Sequence, residues 1–161
     1  MFKMKSLALQ SVLSIVAVAT TALAFPAAET PTPTVKAAPC TTGAPVVTAG
    51  YTINYAPAVP TVAFQNGYQP EEAWSKSHVI GTYTFGVPTP VESGFAYAQF
   101  KCQYYCNNAG SVGAGSFFVS YAGDQSKVGS YCTCFDDLLE PDSFVDNSEA
   151  LVGAWNHICS K

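Results

Sequence analysis

Hydrophobic spacing changes character several times along the chain. Leu7 to Leu23 is an apolar run broken only by Gln10 and a few Ser and Thr. Between residues 46 and 91, short β-branched and aromatic runs recur: Val46-Val47, Tyr51 to Tyr55, and Val79 to Phe85. Pro57, Pro60, Asn66-Gly67, Pro70, Gly86, Pro88 and Pro90 punctuate them, which predicts short strands and turns with at most one helical turn near 70–76. From Phe95 to Asn108 there is no Pro or Gly, and Phe95, Ala98, Cys102 and Cys106 recur at spacings of three and four. That one-faced pattern predicts a helix over 93–109, opened by Ser93 and stopped by Asn107, Asn108 and Gly110. Ser116 to Tyr121 reads as a strand, Gly123-Asp124 as a turn and Val128 to Phe135 as the returning strand of a hairpin. Residues 136–147 read as an acidic loop or short helix, and Leu151 to Cys159 as a last strand-like segment. The fold class is therefore α+β: a small antiparallel sheet with one main helix.

The first apolar run is a targeting element. Lys3 and Lys5 precede it and Ala22-Leu23-Ala24 supplies a small-x-small cleavage site before Phe25, so residues 1–24 read as a secretory signal peptide. The run approaches the minimum length of a membrane span, but the cleavage motif favours removal. Residues 25–45 are rich in Pro, Thr and Ala without apolar periodicity and read as an extended leader of a composition suited to O-glycosylation. The folded domain is expected over 46–161. The expected location is extracellular.

Composition narrows the function classes. Of 161 residues, 48% are hydrophobic and 11% charged, which excludes a charge-rich disordered chain. The chain has seven Lys, no Arg and a formal charge of −4. Beyond residue 24 it keeps five Lys against eleven acids, a charge of −6. Without clustered cations it is not expected to bind nucleic acid or an anionic membrane surface.

Six Cys in an exported chain are expected to pair as disulfides rather than hold a metal or act as nucleophiles. Cys102-x3-Cys106 puts two sulphurs on one helix face about 6 Å apart, and Cys132-x-Cys134 puts two on one strand face about 6.6–6.8 Å apart. A helix laid across that strand could carry two neighbouring bridges, leaving Cys40 to Cys159. The expected pairing is Cys102–Cys134 and Cys106–Cys132, with the crossed pairing nearly as compatible. A thiolate zinc or copper site is the rival reading of the same spacing.

The helix bearing Cys102 and Cys106 is followed by Gly113 to Tyr121 on a strand and by Tyr131 to Phe135 with its two Cys. Together these segments resemble the PAN/apple fold. Tyr131-Cys132-Thr133-Cys134-Phe135 with Gly153 to Cys159 resembles small secreted cysteine-rich proteins of filamentous fungi. The resemblance covers about Phe95–Cys159. It departs from the family pattern in placing Ala114 and Gly115 where a Cys often precedes the central strand, and it leaves 46–91 unexplained. It implies a module that binds proteins or carbohydrates and is not itself an enzyme.

The residues carry no clear catalytic set. Glu71-Glu72 and Asp136-Asp137 are adjacent acids rather than carboxyls facing across a scissile bond. The acidic stretch from Asp136 to Glu149 lacks the regular spacing of a calcium loop. His78 and His157 have no nucleophile elbow beside them, and no phosphate or dinucleotide loop occurs, so no cofactor is expected. Aromatics are the better functional candidates. Phe95, Phe118, Trp155 and the Tyr131/Phe135 strand face are expected in the core, whereas Trp74, Tyr68, Tyr104 and Tyr105 are candidate ligand contacts. The leading expectation is a secreted non-catalytic binding module for cell-wall carbohydrate or a partner protein. The alternatives are a small hydrolase using the 136–149 carboxylates and a structural wall protein.

Overall fold

The computed structural model describes residues 37–124, 127–147 and 151–160. Residues 1–24, expected as a signal peptide, and most of the expected leader over 25–45 lie outside the described residues. In chain order the elements are β1 (Val46–Thr48), β2 (Tyr51–Ile53), β3 (Tyr55–Pro57), β4 (Gly67–Pro70), α1 (Glu72–His78), β5 (Val79–Gly86), α2 (Val91–Asn107), β6 (Ser116–Asp124), β7 (Lys127–Phe135), β8 (Phe144–Asn147) and β9 (Val152–His157). The α+β class is as expected.

A five-stranded antiparallel sheet, in the order β3-β9-β6-β7-β5, forms the centre. Two two-stranded pairs flank it, β1-β2 and β4-β8. Ala49 and Gly50 turn β1 into β2 with φ of 46° and 84°, the left-handed pair that a tight hairpin needs. The β4-β8 pair corrects two expectations. Gly67 and Pro70 belong to a strand pairing rather than plain turns, with Asn66 left in the bend before it, and Phe144–Asn147 is a strand rather than part of an acidic loop or helix. The turn expected near 70–76 is the seven-residue α1, set two residues later.

Helix α2 starts at Val91, two residues before the Ser93 expected to open it; the Ser93 hydroxyl instead donates back to the Pro90 carbonyl. Its buried positions include Ala98, Gln99, Cys102, Gln103 and Cys106. Gly94 lets the preceding loop approach, since a side chain there would meet the Pro88 carbonyl oxygen at 2.2 Å. Gln103 ties the β1-β2 hairpin to the helix: its amide oxygen accepts from Asn54 N at 2.7 Å and its amide nitrogen donates to Thr52 O at 2.9 Å.

The disulfides are Cys40–Cys159, Cys102–Cys132 and Cys106–Cys134. The helix-to-strand bridges are thus the reverse of the expected Cys102–Cys134 and Cys106–Cys132. Chain direction is the reason. A short connection turns α2 back into β6, and the hairpin turns β6 back into β7. Two reversals leave α2 running in the same sense as β7, so the earlier Cys of one meets the earlier Cys of the other. The third bridge closes the domain: Cys40 and Cys159 have Cα atoms 4.9 Å apart, and Thr41 exchanges backbone bonds with His157 and Cys159.

The sheet is covered on both faces. Under α2, Phe117, Val119, Cys132, Cys134, Trp155, Tyr55 and Ile53 form one core. On the opposite face, Phe118, Phe135 and Ala154 pack with Leu139, Phe144 and Ala58, flanked by Tyr68, Trp74 and Val152. This double coverage explains the adjacent apolar Phe117-Phe118: neighbouring strand residues point to opposite faces, and here both are apolar. Asn156 holds the second cover in place, accepting from Leu139 N at 2.8 Å and donating to Leu139 O at 2.9 Å.

Candidate functional site: an open groove on the sheet

The second cover stops short. It spans the Phe118/Phe135 end of the sheet face and leaves the end bearing Tyr131, Ser120 and Thr133 beside solvent. Cys132 and Cys134 must point at α2, so alternation sends Tyr131, Thr133 and Phe135 to the other side. Tyr131 is 57% exposed there. With Phe118 and Ser120 of β6 these residues floor a cavity of about 380 Å³, walled by Gln69 and Pro70 of β4 and by Glu72, Ser75 and Lys76 of α1.

The wall is built from local chemistry. Glu71 caps α1, its carboxylate accepting from Ala73 N at 3.0 Å and Trp74 N at 2.8 Å. Those two bonds hold the Glu71 carboxyl below its ordinary pKa. One turn on, Glu72 and Lys76 form an exposed i,i+4 ion pair. The hydrogen bond to Glu72 raises the Lys76 pKa. Trp74 anchors the helix, stacking on His78 with ring centroids 4.7 Å apart and lying 5.0 Å from Phe135. His78 Nδ1 in turn lies 2.9 Å from Asp136 Oδ1.

The four aromatic candidates fall on two sides of the sheet. Tyr68 and Trp74 are half-buried packing groups beside the groove. Tyr68 packs edge-on to Phe118 and Phe144, and burial raises its pKa. Tyr104 and Tyr105 lie on α2. Tyr104 is 61% exposed, whereas Tyr105 stacks on Tyr83 at 4.6 Å. Tyr97, Phe100 and Tyr51 continue this belt, and Lys101 Nζ sits 5.8 Å from the Tyr97 ring and 5.7 Å from that of Tyr105. Sequence reasoning missed Tyr131 and the polar floor around it, and placed Tyr131 in the core. The signal lay in the Cys-x-Cys itself, whose outward neighbours Tyr131 and Thr133 are not apolar enough for a fully covered face.

The charged and sulphur groups serve local structure. Among the described residues the one group of potential metal ligands is Cys102, Cys106 and Cys132, and all three are in disulfides. Asp137 Oδ1 accepts from Leu138 N, and Asp142 Oδ1 accepts from the Thr61 hydroxyl at 2.8 Å. The His78–Asp136 pair has the form of a general-base dyad, but no hydrogen bond links His78 to a hydroxyl side chain among the described residues. His157 packs against Tyr55 at 5.3 Å. No helix among the described residues is long and apolar enough to cross a membrane. No family model, curated protein or solved structure matches this chain.

Proposed function

We propose that the chain is an exported, non-catalytic binding module that engages a carbohydrate or a partner protein through the open groove. The observation that carries this reading is the exposure of Tyr131 at the uncovered end of a partly covered sheet face, at the floor of a cavity with polar walls. A flat amphipathic ring among hydroxyl, amide and paired charged groups offers apolar contact and hydrogen bonds together. The three disulfides and a rigid sheet support a pre-organised surface, which limits the ordering cost of binding. Export rests on the signal-like residues 1–24 and is supported by the disulfides. A PAN/apple-like arrangement is supported by a helix stapled across the central hairpin.

The hydrolase reading has less support, because Asp136, Asp137 and Asp142 each already serve as local acceptors. The test compares wild type with Tyr131→Ala, each immobilised and exposed to extracellular polysaccharides and proteins. Retention that falls with Tyr131→Ala supports the groove. Retention equal in both overturns it.

A further inference from the structure

We infer that the groove takes an uncharged pyranose chain, with a sugar face resting on Tyr131; this rests on the groove being the binding surface. The charge pattern is the first argument. Among the lining residues only Glu72 and Lys76 are charged, and they neutralise one another as an ion pair. An anionic or cationic ligand would have to break that pair or stay uncompensated, whereas a neutral one leaves it intact.

The backbone supplies the second argument. The floor consists of β7, which pairs with β5 and β6, and the part of β6 that pairs with β7 and β9. Both strands spend their backbone groups inside the sheet, so a peptide cannot add a strand to this floor, one of the recurring routes by which extended protein segments bind a sheet. Recognition is left to side chains. Tyr131 gives an exposed aromatic face, and Ser75, Ser120, Thr133 and Gln69 give short hydroxyl and amide groups that both donate and accept. That interleaving matches a sugar, whose ring carries an apolar C–H face bordered by hydroxyls. Thr82 and Thr84 of β5, exposed and in register with Thr133 and Tyr131, continue the hydroxyl-bearing surface to the sheet edge. A chain of rings can therefore run across β6, β7 and β5.

The experiment titrates the full secreted chain with three hexasaccharides: a neutral β-glucan oligomer, a galacturonate oligomer and a glucosamine oligomer. Calorimetry reads the affinity, and near-ultraviolet circular dichroism checks that each variant is folded. The neutral oligomer is expected to bind best, with at least a tenfold loss in Tyr131→Ala, a smaller loss in Thr133→Ala and no change in Tyr104→Ala, which lies on the α2 side. Preference for a charged oligomer, binding to none of the three, or neutral binding unaffected by Tyr131→Ala would each overturn the inference. A protein ligand whose capture depends on Tyr131, alongside no glycan binding, would reject the sugar while leaving the groove as the binding surface.

Discussion

The sulphurs of Cys106 and Cys132 lie 3.7 Å apart without being bonded, because Cys106 is joined to Cys134 and Cys132 to Cys102. The four sulphurs thus form one buried cluster in which the choice of partner is set by the direction of α2 rather than by distance. Replacing Cys102 and Cys132 together by Ser should leave the Cys106–Cys134 bridge intact and cost about 3 kcal/mol, the scale for opening a loop of this size. Replacing Cys102 and Cys134 instead strands Cys106 and Cys132 within reach of one another. That variant should re-oxidise to a Cys106–Cys132 bridge, detected as the loss of both free thiols on titration under denaturing conditions. Two persistent free thiols would contradict the proximity.

Gln103 is a buried amide that substitutes for a missing strand partner, serving Asn54 N and Thr52 O at once. Gln103→Leu keeps the volume but leaves both backbone groups of the β1-β2 hairpin without their bonds. The expected loss is about 1–3 kcal/mol by urea unfolding, because an unsatisfied buried group costs more than an average hydrogen bond contributes. Gln103→Glu tests the chemistry: with its carboxyl neutral at low pH it keeps both the acceptor for Asn54 N and an O–H donor for Thr52 O, whereas the ionised form loses the donor, so its stability should approach wild type at low pH and fall towards that of Leu as pH rises.

Much of this architecture is legible in the sequence. Helix α2 announces itself through Phe95, Ala98, Cys102 and Cys106, and the β6-β7 hairpin through two β-rich runs, although Gly123 and Asp124, expected as its turn, lie within β6 and pair with Val128 and Lys127. The disulfide order was legible too, through connectivity: two successive short reversals make α2 and β7 co-directional, whereas spacing alone is symmetric to exchange. The β4-β8 pair was not. Its strands are four residues each and far apart in sequence, one opens on Gly67 directly after Asn66 and the other lies among acids, so local preference pointed elsewhere. Tyr131 was misplaced for a related reason. Alternation gives the face a residue points to, but where the covering layer ends depends on a pairing that local pattern does not encode.

Tyr55 makes the fold sensitive to alkali. Burial raises its pKa to about 12, and its hydroxyl donates to Asn107 Oδ1 at 2.8 Å. The protonated form is the one the folded state favours. Its contribution is fully present below the ordinary tyrosine value of about 10 and is lost as pH rises through about 12. The difference in urea midpoint between wild type and Tyr55→Phe should therefore change across pH 9–12, with the wild type falling faster. Parallel pH dependence would place the alkaline loss in the other tyrosines.

Trp74 should matter for binding without touching the ligand. Its ring fills the gap between His78 and Phe135 and so fixes α1, which carries Glu72, Ser75 and Lys76 into the groove wall. Trp74→Ala removes a half-buried aromatic from the second core, with an expected loss of about 2 kcal/mol, below the range for fully buried Trp. It should also weaken groove binding by letting the wall drift. Trp74→Phe keeps a ring against Phe135 and should recover most of both. Tyr104→Ala, which removes an exposed ring from the α2 side, should change stability by less than about 0.5 kcal/mol. A Trp74 variant with native stability but lost binding would instead make the indole a direct ligand contact, since a purely positioning role must register in the unfolding midpoint as well.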